Sequence, residues 1–174
     1  NLYLVNSLNP FRIEGQKTIV AEMLEQRAWR PPDYIVVPGG NLGNSSAIGK
    51  GLRELKELGL IEKVPKVVVV QAAGASPFYQ MMAAGADHLT PFEKPNTQAT
   101  AIRIGHPANW KKAKRVLEWT GGFCECVTDE EILEAKAMLA EDGVGCEPAS
   151  AATVAGVRKL VRAGKIPWHA DIVC

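Results

Sequence analysis

No apolar run in this chain approaches the roughly 18 residues that a membrane-spanning helix needs, and no signal-peptide pattern is visible at its start. No basic stripe marks a nucleic-acid surface, and no basic amphipathic helix marks a membrane-binding one. The net charge of +1 fits these absences. No internal repeat or low-complexity linker interrupts the chain. The few cysteines (Cys124, Cys126, Cys146 and Cys174) do not fall at zinc-ligand spacing. His88, His106 and His169 stand singly, so no metal site is expected. Four unframed thiols fit a cytoplasmic protein in which they are buried or idle.

Apolar residues make up 47% of the sequence and charged residues 22%, ordinary globular values that exclude disorder. A chain of 174 residues favours one domain. At this length folding buries about 70% of the unfolded surface, enough for a core without staples. The chain starts at Asn1 and ends inside "HADIVC", which reads as an interrupted strand, so a segment of a longer protein is expected.

Short β-branched runs alternate with helical patterns. "LYLV" at 2–5 is apolar, and 16–28 places Ile19, Met23 and Leu24 on one helical face beside Val20. "PDYIVVPGG" reads as a buried strand, 45–58 as a helix closed by Gly59, and "KVVVVQ" at 66–71 as the clearest strand. A helix follows with Ser76 as expected N-cap and Pro77 in its first turn. Residues 87–109 lack periodicity, carry prolines and read as a loop region packed over something. Then come the helix "WKKAKRVLEWT", the strand "FCECVT" with Cys124 and Cys126 on one face, and a helix with a Thr128–Glu131 capping box. A last helix with Ser150 as expected N-cap leads into the strand "ADIVC". This order predicts an α/β fold with a mainly parallel, doubly wound sheet. Such sheets bind ligands at the carboxyl ends of their strands.

One strand end stands out, in "IVVPGGNLGNSSAIGKGL" at 35–52. The nucleotide P-loop pattern fails because Asn44 and Gly51 stand where glycine and Ser or Thr are needed. The dinucleotide pattern fails because Pro38 replaces its first glycine. The physical logic of an anion cradle survives both failures. Glycines let the backbone approach an anion, and the N–H groups and dipole of the following helix favour negative charge. A plain strand-to-helix turn with Asn44 as N-cap is the alternative reading.

Taken together, "VNSLNPFRIEGQKT", "PDYIVVPGGNLGN", "VVVVQAAGASP", "TQATAIRIGHPANW", "VTDEEILEAKAMLA" and "CEPASAATVAG" resemble the threonine synthase family, in that family's order and spacing. The resemblance covers nearly the whole chain but only the middle and later part of the family's sequence. It implies a partial fold of the tryptophan-synthase-β-like (fold type II) enzymes that use pyridoxal 5′-phosphate (PLP), with most of the large PLP-phosphate-binding domain in residues 1–174. The implied reaction turns O-phosphohomoserine and water into threonine and phosphate, in a cytoplasmic enzyme that is a homodimer when complete.

Carried over residue by residue, the resemblance assigns the PLP phosphate to Gly40, Asn41, Leu42, Gly43 and Asn44. Relatives usually have a smaller residue at Leu42, whose side chain must therefore point away from the anion. The substrate phosphate is assigned to Asn6, Ser7 and Arg12, arginine being suited by its planar, permanently charged fork. Arg103, His106 and Glu147 fall near the family's cofactor segments but receive no role.

The family's Schiff-base lysine lies in a Ser-Phe-Lys-Asp-type segment that has no counterpart here, so no catalytic residue is assigned within the chain. The alternatives are a catalytically silent phosphate-ligand-binding module or a related PLP lyase such as a threonine dehydratase. Incomplete α/β sheets expose edges and apolar faces, so the segment alone is expected to be aggregation-prone.

Overall fold

The computed structural model describes Val5, Asn6 and residues 9–174. The apolar run expected at 2–5 lies almost wholly outside them. Among the described residues four strands form one parallel sheet in the order β3-β2-β1-β4: β1 (Tyr34–Pro38), β2 (Lys66–Ala72), β3 (Phe123–Val127) and β4 (Ile172–Val173). Val36 pairs with Val68, Val70 with Glu125, and Tyr34 with Ile172. Seven helices among the described residues surround the sheet: α1 (Pro10–Gln16), α2 (Thr18–Gln26), α3 (Gly43–Glu57), α4 (Pro77–Ala83), α5 (Trp110–Thr120), α6 (Asp129–Glu141) and α7 (Pro148–Arg162).

Side chains of a strand alternate between its two faces, and here both faces are apolar because both are covered. Tyr34, Val36, Val68 and Val70 pack with Ile132 and Ala135 of α6 and with Ala151, Ala152, Ala155 and Leu160 of α7. Ile35, Val37, Val67 and Val69 pack with Val20, Leu24, Ile48, Leu52, Phe78, Met81 and Leu117. The expected doubly wound α/β sheet is therefore present. Small residues let α7 approach closely: a Cβ on Gly156 would lie 2.5 Å from Val70 Cγ2.

The expected helices and strands form, with four local corrections. Ile19 is exposed while Val20 and Leu24 are buried, so the inner face of α2 is rotated by one position. Ser76 takes the N-cap position of α4 as expected, but its hydroxyl donates to Ala73 O and makes no capping bond. Ser150 lies inside α7, whose N-cap is Glu147, because Pro148 already has the fixed φ of a first helical residue. Leu42, in the left-handed region at φ 63°, takes the N-cap position of α3 that the turn reading gave to Asn44. The Thr128–Glu131 capping box forms as expected, with both reciprocal hydrogen bonds.

The loop over 87–109 crosses the carboxyl end of the sheet and is pinned along its length. Phe92 N donates to Gly105 O (2.9 Å), and Asn96 N to Gly74 O (2.9 Å). Gln98 N donates to Asp129 Oδ2 (3.0 Å), at the start of α6. Its 3-10 turn, Thr100–Ile102, comes to rest against the chain that leaves β1.

Candidate functional site

The chain leaves β1 through Pro38 and enters α3 at Gly43, so residues 39–42 turn at the carboxyl end of an interior strand. Gly40 is buried against the 3-10 turn, and a Cβ there would lie 3.1 Å from Ala101 O and 3.3 Å from Ile102 Cα. Only glycine leaves that contact relaxed. Leu42 is 1% exposed and its side chain belongs to the core beneath, so it points away from the loop's open side, as the resemblance requires.

The left-handed backbone of Leu42 swings the chain directly into α3, a helix of 15 residues. Ser45 and Ser46 direct their hydroxyls to Leu42 O at 3.0 and 2.7 Å and fasten the turn from within. Asn44 Nδ2 donates to Pro38 O (3.2 Å), while its Oδ1 accepts from Ser45 N (2.7 Å). Amides in the first turn of a helix have no carbonyl of their own to reach. The N–H groups of Gly43 and Asn44 are of this kind, and the positive end of the helix dipole lies with them.

A cavity of about 400 Å³ opens over this turn. Gly40, Asn41, Leu42, Gly43 and Asn44 line it, together with Asn6, Arg12 and Gln16 from the N-terminal segment, Ala101 and Ile102 from the 3-10 turn, and Glu147 at the start of α7. Two clusters of predicted residues, about thirty positions apart in sequence, thus share one space. Arg12 Nη1 donates to Asn6 Oδ1, which orients the guanidinium along the cavity's edge. Ser7, the third predicted substrate contact, lies outside the described residues.

The donor set is what a phosphate ester demands: backbone N–H groups at a helix start and an arginine fork, with Glu147 the one carboxylate on the wall among the described residues. These residues fit the phosphate of PLP. Arg103 and His106 are exposed and do not line the cavity. No lysine lines it among the described residues. Lys17 pairs with Glu14 and Glu54, each at 2.7 Å, and Lys50 also pairs with Glu14, so both ammonium groups are held in a network between α1 and α3. Among the described residues no group of three or more His, Cys, Asp or Glu is placed to hold a metal ion, and no helix is long and apolar enough to cross a membrane.

Several residues of the site carry no sequence signal that would have found them. Asn109 is buried, and its N–H donates to Asn41 O (3.1 Å) from the far end of the crossing loop. Gln16 lines the cavity, and its Oε1 is buried without a hydrogen-bond partner among the described residues. Gln71, at the carboxyl end of β2, is fully buried and bonded to Gly39 O. Each is one polar residue in an otherwise unremarked stretch, and only the folded contacts show what it touches.

Comparison with known proteins matches residues 1–174 to the model of the pyridoxal-phosphate dependent enzyme family. The chain is 51% identical over 174 residues to a threonine synthase from Methanosarcina acetivorans, covering 99% of this chain and 43% of that protein. It is 48% identical over 174 residues to a threonine synthase from Methanocaldococcus jannaschii, again covering 99% of this chain and 43% of that protein. The chain thus spans less than half the length of these curated relatives. Among solved structures, threonine synthase from Escherichia coli superposes with a TM-score of 0.69 at 21% identity, over 96% of this chain and 38% of that one. The processed form of a threonine deaminase isoform from Solanum lycopersicum superposes with a TM-score of 0.74 at 20% identity, over 95% of this chain and 45% of that one. These superpositions show the fold.

Proposed function

Starting from the fact that the chain belongs to the pyridoxal-phosphate dependent enzyme family, we propose that it is the phosphate-gripping part of a threonine synthase, which converts O-phosphohomoserine and water to threonine and phosphate. The observation that carries this reading is the single cavity that Arg12 and Asn6 share with the 40–44 turn. Two anion-binding elements fit a site that holds a phosphorylated substrate beside a phosphorylated cofactor. The high identity to threonine synthases supports the same choice over other members of the fold.

In this reading the turn grips the PLP phosphate through the N–H groups of residues 40–44, with the start of α3 supplying positive potential. When bound, PLP supplies an electron sink for a carbanion formed next to its ring. Arg12 clamps the phosphate of O-phosphohomoserine with paired N–H donors. As that group departs with the electrons of its C–O bond, the guanidinium stabilises the growing charge, an effect of the kind that commonly dominates catalysis. Asn6 holds Arg12 in place for this role, and Ser7 is assigned a hydrogen bond to the same phosphate. The reactive lysine is assigned to sequence outside these 174 residues, and the present chain to most of the large PLP-phosphate-binding domain. The reading also carries a cytoplasmic location and a homodimeric assembly, which sedimentation of the intact protein checks.

The deciding experiment supplies O-phosphohomoserine and PLP to the intact protein and measures threonine and phosphate release. Equimolar products are expected, and absence of turnover with bound PLP would overturn the proposal. Arg12→Ala is expected to raise KM for O-phosphohomoserine at least tenfold while leaving PLP affinity within about twofold. Equal loss of both would remove Arg12 from the substrate clamp.

A further inference from the structure

Gln71 is the one fully buried polar side chain of β2, and it looks out of place in the run "KVVVVQA". Its Nε2 donates to Gly39 O at 3.0 Å, and its Oε1 accepts from Tyr79 N at 2.9 Å. Those two partners fix the orientation of the amide. A backbone carbonyl can only accept and a backbone N–H can only donate, so no flipped form satisfies both. Gly39 also lies directly against this side chain, since a Cβ there would be 2.8 Å from Gln71 Cγ. Its own N–H donates to Val70 O (2.7 Å).

Two tasks meet in this one side chain. Tyr79 is the third residue of α4, and its N–H is among the four that a helix start leaves without a partner. Ser76 stands at the N-cap position without a side-chain bond to the helix, so Gln71 supplies that bond from the preceding strand. The other task concerns the turn at the cavity. Gly39 is the last residue before the five assigned to the phosphate, and the direction of its carbonyl sets the peptide plane shared with Gly40 N. A buried carbonyl left without a donor is unfavourable and would rotate to find one.

We propose that Gln71 is a positioning residue for the anion cradle: by anchoring Gly39 O it aims the N–H groups of residues 40–44 into the cavity. The inference rests on the proposed function for the identity of the anion, PLP phosphate.

Gln71→Glu separates the two tasks. A carboxylate keeps the acceptor for Tyr79 N–H but removes the donor for Gly39 O. Protonating that carboxylate restores a donor. In the intact protein, Gln71→Glu is therefore expected to bind PLP at least tenfold more weakly than wild type at pH 8. Relative to wild type at each pH, affinity is expected to recover as pH falls through the titration of the buried carboxyl. Gln71→Met, which fills similar volume and makes neither bond, is expected to show the loss without the recovery. Hydrogen exchange at the bonded amides that frame the turn, those of Gly39, Ser46 and Asn109, is expected to quicken in both variants without ligand, at temperatures where both remain folded.

A lowered melting temperature with PLP affinity within twofold of wild type and unchanged exchange at Gly39, Ser46 and Asn109 would reduce Gln71 to a helix cap and overturn the inference. Wild type that fails to bind PLP would instead sink the proposed function. The exchange measurement would then still decide whether Gln71 orders the turn. If Gln71→Glu does not fold, Gln71→Met and the exchange data carry the same decision.

Discussion

Leu42 shows how one residue can serve a turn and a core together. Its φ of 63° costs a non-glycine residue roughly 1–2 kcal/mol, yet its side chain is buried among Ile48, Val69 and Leu117. Leu42→Ala keeps the strain and loses the packing, so a destabilisation of about 2–4 kcal/mol is expected in urea unfolding. Leu42→Gly loses slightly more surface but relieves the backbone. It is expected to be no more destabilised than the alanine variant, against the usual order for these two residues. Gly40 is the opposite case: a Cβ there would crowd Ala101 O at 3.1 Å and Ile102 Cα at 3.3 Å, so a side chain must push the 3-10 turn aside. Gly40→Ala is expected to weaken PLP binding at least tenfold with only a modest loss of melting temperature.

Cysteine reactivity is also decided residue by residue. Burial pushes the Cys124 thiol well above its ordinary range, and the neighbouring Cys126 and Glu125 push it the same way. Thiolate is the reactive form. Cys124 is half-buried, and it is therefore expected to react more slowly with an aromatic disulfide reagent at pH 8 in the folded protein than after unfolding, as mass mapping of the labelled peptides would show. Rapid native labelling of Cys124 would contradict its placement.

Helices differ in how far their boundaries follow local rules. The cap of α6 is local: Thr128 Oγ1 accepts from Glu131 N and the Glu131 carboxylate accepts from Thr128 N, a pairing legible in four consecutive residues. Thr128→Ala is expected to cost about 1 kcal/mol, measured by denaturant unfolding. The starts of α3, α4 and α7 are not local in this way. Asn44, Ser76 and Ser150 all have capping chemistry, yet none is the side-chain cap of its helix. Glycine-rich backbone at 39–43, a strand glutamine and a proline at 148 decide those starts instead. A residue's propensity to cap is a statement about its own two or three neighbours, and it yields to backbone conformation at Leu42, to a proline at 148 and to a strand side chain at Tyr79.

Across the whole molecule, the outer edge of β1 is the incomplete feature. Its first residues, Tyr34 and Ile35, pair with β4, while Val36 to Pro38 have no partner strand on that side among the described residues. Ile19, Val36, Val37, Ile48 and Cys174 line a groove of about 370 Å³ beside that stretch. The 174-residue chain alone is expected to self-associate with rising concentration and to bind a hydrophobic dye, as light scattering and fluorescence would show.

The paired end of the same edge is held by charge. Asp33 accepts hydrogen bonds from Lys63 and from Asp171 N, and these partners, Lys63 foremost, hold its carboxyl below the usual range. A lowered folded-state value means the stabilisation is present above the unfolded value of about 3.9 and is lost as pH falls through the folded value. Asp33→Asn is expected to melt lower than wild type at pH 7, with the difference shrinking below about pH 4.

The order of strands and helices, the glycine turn and the capping box could all be read from the chain because each depends on near neighbours: an alternation of two, a period of 3.6, a proline or a glycine. The doubly wound sheet followed from the same periodicities, since strands apolar on both faces must be covered on both. Arg12, Asn41 and Glu147 belong to one cavity only because α1, the end of β1 and the start of α7 converge on the same end of the sheet. Gln71 and Asn109 secure the turn through hydrogen bonds to residues 32 and 68 positions away. Periodicity places a side chain on a face. Only the packing of whole elements decides which distant polar atom that face will meet, because burial leaves each such atom a single partner within reach.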